Sequence, residues 1–335
     1  MTDAPRHTLR PMRLLVLGGT QFVGRHVVDA ALTSGHEVTL FNRGTTRPDL
    51  YPELEKLRGD RDGGLDALAG RSFDAVVDTS GYVPRVVRQT IEALGPVGHY
   101  TFVSSVSVYA DCSTPPTESS PLRVLEAPTE DRREAYGELK AECEQVVREA
   151  FPGAFVVRPG LIVGPWDPTG RFSYWPERLA EGGRVLAPAP PEAPAQVIDA
   201  RDLAAWIVMA AETGLAGTFN VVDRPTTWSA MLATCARAVG TEPELVWVDP
   251  GFLAELGVGE WMELPLWLHD PTLAGMLAID PAAAFAADLE TRPLAETARD
   301  TLAWLESGSG PAAVEAGLAR DKEQRVLDAW LSRSE

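Results

Sequence analysis

The hydrophobic pattern begins at 13–17 with RLLVL, an apolar run too short for a helix and therefore a predicted buried strand. From 22 to 32 the period changes. Phe22, Val23, His26, Val27 and Ala30 fall at helical spacing, and Ser34-Gly35 closes that helix. HEVTLF (36–41) predicts a second strand, FDAVVDTSG a third over 75–77, and YTFV (100–103) a fourth. Helices are predicted over 84–94, with proline near the first turn, and over 132–150, followed by a strand at 155–157. Strands separated by helices define βαβ units, so the spacing predicts an α/β fold with a doubly wound parallel sheet (Rossmann). A helical bundle would not account for the β-rich runs.

Beyond Arg158 proline and glycine become frequent, and LAPAPPEAPA (186–195) reads as unable to form an element interior. Helical patterns return at 202–212 and 229–239, with a strand at 218–222. The expected division is a dinucleotide-binding domain over 12–160 plus about 196–224, and a smaller, mostly helical C-terminal substrate domain over about 161–195 plus 225–335. WMELPLWL (261–268) reads as an apolar packing segment, and the stretch after Pro311 as helical.

Composition narrows the function classes. The 335 residues are 45% hydrophobic and 23% charged, ordinary for a soluble globular protein. No run of eighteen apolar residues suggests a membrane partner, and MTDAPRHTLRPM lacks the apolar core of a secretion signal, so a cytoplasmic location is expected. Cys112, Cys143 and Cys235 have no short spacing, which argues against a disulfide framework or a metal site. His7, His26, His36, His99 and His269 form no ligand pair and read as surface or turn residues. A net charge of −18 argues against nucleic acid, whose affinity rests on cations neutralising phosphates.

Three segments carry candidate chemistry. LGGTQFVG lies between the first strand and first helix, where bare backbone and a helix N-terminus suit a pyrophosphate. Gly18 and Gly24 occupy the first and last glycine positions of a G-x-x-G-x-x-G variant, and Gln21 the middle one. At the end of the second strand an acid would favour NAD(H) by accepting from ribose hydroxyls. This chain has FNRGTTR there, with Asn42 at the acid's position, Arg43 beside it and Arg47 nearby. Arginine suits a 2′-phosphate, so NADP(H) is preferred and NAD(H) is the alternative.

The second segment is YGELK (136–140). Tyr136 and Lys140, four apart on a helix, can face one pocket. A tyrosine with pKa near ~10 becomes an acid–base at neutral pH when a cation stabilises its phenolate. The chain uses lysine at Lys56, Lys140 and Lys322 alone, and a guanidinium would be bulkier and differently aimed at 140. The third segment, TFVSSVSVY (101–109), ends a strand where open α/β sheets bind their ligands. Ser105 could donate to a substrate oxygen and stabilise a developing alkoxide.

In this order the motifs resemble the extended and atypical short-chain dehydrogenase/reductases of the NAD-dependent epimerase/dehydratase superfamily. GDRD (59–62), TESSPL (117–122) and RPGLIVGP (158–165) extend the resemblance over most of the chain. The GGT-x-F form is similar to the branch that also contains the chloroplast stem-loop-binding proteins. The resemblance implies Tyr136 as catalytic acid–base, Lys140 as its partner and Ser105 as the third member. It implies a cofactor-binding set of Gly18, Thr20, Gln21, Phe22, Val23, Gly24, Asn42, Arg43, Asp60, Arg61, Ser80, Gly81, Ser104, Tyr136, Lys140, Pro159 and Gly160, with Asp60 at the adenine and Pro159-Gly160 by the nicotinamide. Tyr82, Ser107, Arg171 and Tyr174 are the expected substrate residues.

Departures matter for substrate. Nucleotide-sugar members usually carry an asparagine where this chain has Leu161, and an arginine where it has Ala195. The preferred expectation is an NADP-dependent oxidoreductase acting on a carbonyl or secondary alcohol of a small molecule. An epimerase or dehydratase of a sugar or sugar nucleotide is the second reading, and a non-catalytic or RNA-associated protein the third. Related enzymes often form a homodimer through the YxxxK helix, although no exposed apolar stripe is evident here.

Overall fold

The computed structural model describes residues 10–310 and 316–333. Its central feature is a seven-stranded sheet. The strands are β1 (Arg13–Leu17), β2 (Glu37–Asn42), β3 (Glu55–Arg58), β4 (Phe73–Asp78), β5 (Val97–Val103), β6 (Phe155–Pro159) and β7 (Gly217–Val221). Their spatial order is β7-β6-β5-β4-β1-β2-β3, and β1 to β6 pair parallel throughout. The order reverses at β1, and parallel pairing requires crossovers between consecutive strands. These include α1 (Phe22–Thr33) between β1 and β2, α2 (Pro84–Ala93) between β4 and β5, and α3 (Tyr136–Ala150) before β6. Leu14 to Leu17 of β1 are wholly buried, as a strand covered on both faces must be. The doubly wound Rossmann sheet is the expected architecture, and a helical C-terminal region accompanies it.

Two units separate by their internal contacts. The first comprises 10–108 with Arg123–Arg158 and Ala204–Thr218; the second comprises Tyr109–Leu122, Pro159–Leu203 and the described residues from Phe219 onward. Within the second, Trp175, Trp228, Leu232, Leu253 and Leu264 centre an apolar core of their own. Helices Tyr174–Ala180, Trp228–Ala238, Leu294–Trp304 and Arg320–Leu331 belong to this unit. WMELPLWL contributes Leu264, Leu266 and Trp267 to that core, as an apolar packing segment should.

Three sequence expectations change. Part of LAPAPPEAPA is a strand after all: Arg184–Pro188 pairs in parallel with Glu244–Val248, and Pro188 is tolerated at the strand's end. A strand for which no expectation was formed is β3 (EKLR), which has no apolar alternation; it sits at the sheet edge, where one buried residue, Leu57, suffices. The helix expected from 132 begins at Tyr136, because Ala135 has a non-helical backbone (φ −136°, ψ 44°). His26, His36 and His99 are buried rather than superficial. His36 lies 2.9 Å from Glu212, and His99 packs by Phe155 with its Nε2 3.1 Å from Thr101. His269 is exposed and His7 lies outside the described residues. The three cysteines are buried and free, and no metal-ligating cluster occurs among the described residues. No helix there is long and apolar enough to cross a membrane.

Candidate active site

The turn after β1 is packed tightly through its glycines. Gly18 has φ +113°, and a Cβ on it would come within 2.7 Å of the Thr79 hydroxyl. Gly24 admits α1 against the turn, since a Cβ there would lie 2.8 Å from the Gly19 amide nitrogen. Gln21, at the middle position, has an extended backbone (φ −139°, ψ 139°) that any residue adopts, and it is exposed. Glycine is therefore not required there for conformation. Thr20 is buried, while Phe22 and Val23 are half-buried at the start of α1.

Asn42 closes the end of β2. Its Nδ2 donates to the Gly18 carbonyl at 2.8 Å, and its Oδ1 accepts from the Gly44 amide at 3.0 Å and from the Arg58 guanidinium. The amide is thus spent within the protein. Arg43 is exposed beside it. Arg58, for which no expectation was formed, brings a second guanidinium from the end of β3; its only signal was a basic residue closing EKLR.

Of the GDRD residues, Asp60 is exposed and accepts from the Asp62 amide. Arg61 turns inward. Its guanidinium grips the Asp78 carboxylate in two bonds of 2.6 and 2.8 Å and also donates to Ser80 Oγ and Thr90 Oγ1. Asp78 is fully buried and accepts further from Tyr100 Oη and the Ser80 amide. Burial opposes its ionisation, but Arg61 outweighs that and holds the carboxyl below the usual carboxylate range. Arg61 therefore ties Ser80 and Thr90 to Asp78 within the fold rather than facing outward as a ligand group.

Lys140 sits above this pair. Its Nζ donates to the carbonyls of Gly81 (2.7 Å) and Val103 (2.6 Å), the ends of the β4 and β5 segments, and it is 2% exposed. The rings of Phe102 and Tyr82 flank the ammonium, with centroids at 4.3 and 5.1 Å. Burial pulls its pKa down to about 8, with Cys143, Asp78 and Glu144 opposing that fall. Tyr136, one helical turn earlier, is 38% exposed, with its ring centroid 6.4 Å from that of Tyr82. One member of the pair is sequestered and the other accessible.

The β5 turn completes the cluster. Ser105 Oγ accepts from the Ser107 amide and donates to Ser107 Oγ, both at 3.1 Å. The Ser107 carbonyl abuts Gly137, where a Cβ would overlap it. That contact sets the Ser105–Ser107 turn against the first turn of α3. Ser104 is buried, its amide donating to the Val157 carbonyl. The first unit thus brings together Ser80, Gly81, Tyr82, Ser105, Ser107, Tyr136 and Lys140.

Pro159, Gly160, Arg171 and Tyr174 belong to the second unit. The Gly160 amide donates to the Val221 carbonyl, and its Cα packs on Val222. Arg171 lays its guanidinium over the Trp261 ring at 4.7 Å. Tyr174, expected to meet substrate, is 5% exposed in the core beside Trp175, with Gly317 packed on its ring. Its aromatic bulk is used for packing.

Residues 14–221 match the NAD dependent epimerase/dehydratase family, and the chain belongs to that family. It is 27% identical over 258 residues to the chloroplast stem-loop binding protein of 41 kDa b of Arabidopsis thaliana, an alignment covering 71% of this chain and 66% of that one, just under two thirds of the relative's length. It is 27% identical to the ceramide reductase of Caulobacter vibrioides, covering 78% of this chain and 81% of that one. Among solved structures, the Thermus thermophilus UDP-glucose 4-epimerase in complex with NAD shares the fold at a TM-score of 0.61 and 19% identity, covering 88% of this chain and 99% of that one.

Proposed function

We propose that the protein is an NADP-dependent oxidoreductase that reduces a carbonyl, or oxidises a secondary alcohol, of a small molecule through Ser105, Tyr136 and Lys140. The observation that carries this reading is the Lys140 ammonium, buried, aimed by two backbone carbonyls, and one turn from an accessible Tyr136. The Gly18–Gly24 turn suits a dinucleotide, because its glycines let β1, the turn and the start of α1 pack with no side chain between them, and the one side chain in the motif's middle position is exposed. When bound there, NADP(H) supplies a hydride donor or acceptor. Asn42 supports the phosphorylated form: its Oδ1 is already committed, so it is no substitute for an acid that accepts from ribose, whereas Arg43 and Arg58 offer guanidinium groups nearby.

In the reducing direction the Tyr136 phenol gives its proton to the substrate oxygen as that oxygen becomes an alkoxide. The adjacent Lys140 charge lowers the cost of the phenolate left behind. Ser105 can turn its hydroxyl proton from Ser107 to the same oxygen, while the Ser107 amide keeps Ser105 Oγ in place. Oxidation runs these proton movements backwards. Leu161 and Ala195 replace the asparagine and arginine usual in nucleotide-sugar members, which favours a substrate without a nucleoside diphosphate. The net charge of −18 weighs against carrying over the stem-loop binding named for the Arabidopsis relative.

The test is Tyr136→Phe, assayed by NADPH consumption against a panel of aldehydes and ketones. Turnover is expected to fall by about 10²–10⁴-fold while NADPH affinity is kept. Full activity in the variant would remove Tyr136 from the mechanism.

A further inference from the structure

The arginines around Tyr136 are committed to carboxylates, with one different in kind. Arg133 is bonded to Asp131 (2.8 Å), Arg123 to Glu138 (3.2 Å), and Arg85 to both Asp62 (2.6 Å) and Glu130 (2.9 Å). Arg132, four residues before Tyr136, is exposed and lies over the Tyr82 ring, with its Cζ 4.9 Å from the centroid, while its charge also helps hold the Asp131 carboxyl low. Tyr82 is half-buried and has the Tyr136 ring and the Lys140 ammonium as its other neighbours. One aromatic ring therefore links the accessible phenol to two cations.

A cation–π contact engages the charge of a guanidinium, and N–H donors not aimed at the ring remain available. Two such donors match a carboxylate in parallel hydrogen bonds. The ring contact orients the group without committing all of its donors. A chain of net charge −18 repels small anions at long range, so an anionic substrate would need a local cation to be retained. A single planar fork suits a carboxylate better than a phosphate, which usually gathers several cations.

Resting on the oxidoreductase reading of Tyr136, we propose that Arg132 and Tyr82 form a carboxylate-recognising subsite, and that the substrate is a small carbonyl or hydroxy compound carrying a carboxylate. Arg132 is a specificity residue in this scheme: it holds the acid group while Tyr136 serves the reacting oxygen. Tyr82 packs the carbon skeleton between them.

The experiment uses two inert probes of the same shape, 4-hydroxybenzoate and 4-hydroxybenzamide, titrated into the full chain by calorimetry. Wild type should bind the benzoate about tenfold more tightly, the scale of a charge-assisted hydrogen-bonded pair. Arg132→Gln should erase that preference and leave the benzamide unaffected; Arg132→Lys, which keeps the charge and loses the fork, should restore part of it. A merely structural role for Arg132 would shift both probes equally. Equal affinity for the two, absence of binding by either, or a preference that survives Arg132→Gln would each overturn the proposal. NADPH titration of the same samples separates the two readings: failure to bind NADPH with the probe preference intact counts against the oxidoreductase alone.

Discussion

Gly137 packs on the carbonyl oxygen of Ser107 so closely that a Cβ would overlap it. The residue after the candidate acid–base is thus fixed to the turn that carries Ser105, and the geometry of the candidate site depends on a missing side chain. Gly137→Ala should push the first turn of α3 away from that turn. We expect a stability loss of about 1–3 kcal/mol, as in other overpacked sites, and a fall in kcat/KM of about 10²-fold from misplacement. Denaturation and steady-state kinetics on one preparation check both; unchanged kinetics would mean the two turns move together.

Lys140 makes folding stability depend on pH in a particular window. Its pKa is about 8 in the fold and near ~10.4 when unfolded. Between those values the unfolded chain holds a proton that the folded chain has released, so stability rises with pH across that window. Lys140→Met lacks this contribution. The stability of wild type relative to Lys140→Met should therefore climb between about pH 8 and pH 10 and stay level below. Urea midpoints across that range measure it. A level difference throughout would mean that Lys140 keeps its proton when the chain folds.

Asp78 and Arg61 form the buried pair beneath Ser80 and Gly81. Asp78→Asn leaves the guanidinium buried without its counter-charge, which should cost about 3–5 kcal/mol. Because the folded pKa of Asp78 is depressed, its contribution is present above the ordinary carboxylate range and lost as pH falls through the folded value. Chemical denaturation at neutral and acid pH checks both statements: the gap between wild type and variant should narrow in acid. A gap that is small at neutral pH would show that the pair does not hold this part of the sheet.

The architecture was legible where periodicity was strong. RLLVL, FDAVVD and YTFV are apolar runs buried on both faces, and α1 and α2 carry one-sided patterns. Elements governed by partners rather than by pattern were not. β3 carries three charged residues in four and exists because β2 offers an edge; Arg184–Pro188 exists because Glu244–Val248 runs beside it. The site divides the same way. Tyr136 and Lys140 announce themselves by helical spacing and by the rarity of lysine. The inward turn of Arg61 toward Asp78, seventeen residues away, and the stacking of Arg132 on Tyr82 are tertiary facts that no local spacing encodes. Tyr174 follows the segment expected to hold substrate, yet core packing claims its ring.

The proposed activity rests on NADP(H) being held by the Gly18–Gly24 turn and Arg43 beside Tyr136 and Lys140. It is tested most directly by fluorescence titration of the purified chain with NADPH and, separately, NADH. Micromolar binding of NADPH that clearly exceeds that of NADH is expected, with a loss of about tenfold or more in NADPH affinity alone in Arg43→Ser. Absence of binding by either dinucleotide up to millimolar concentration would contradict it.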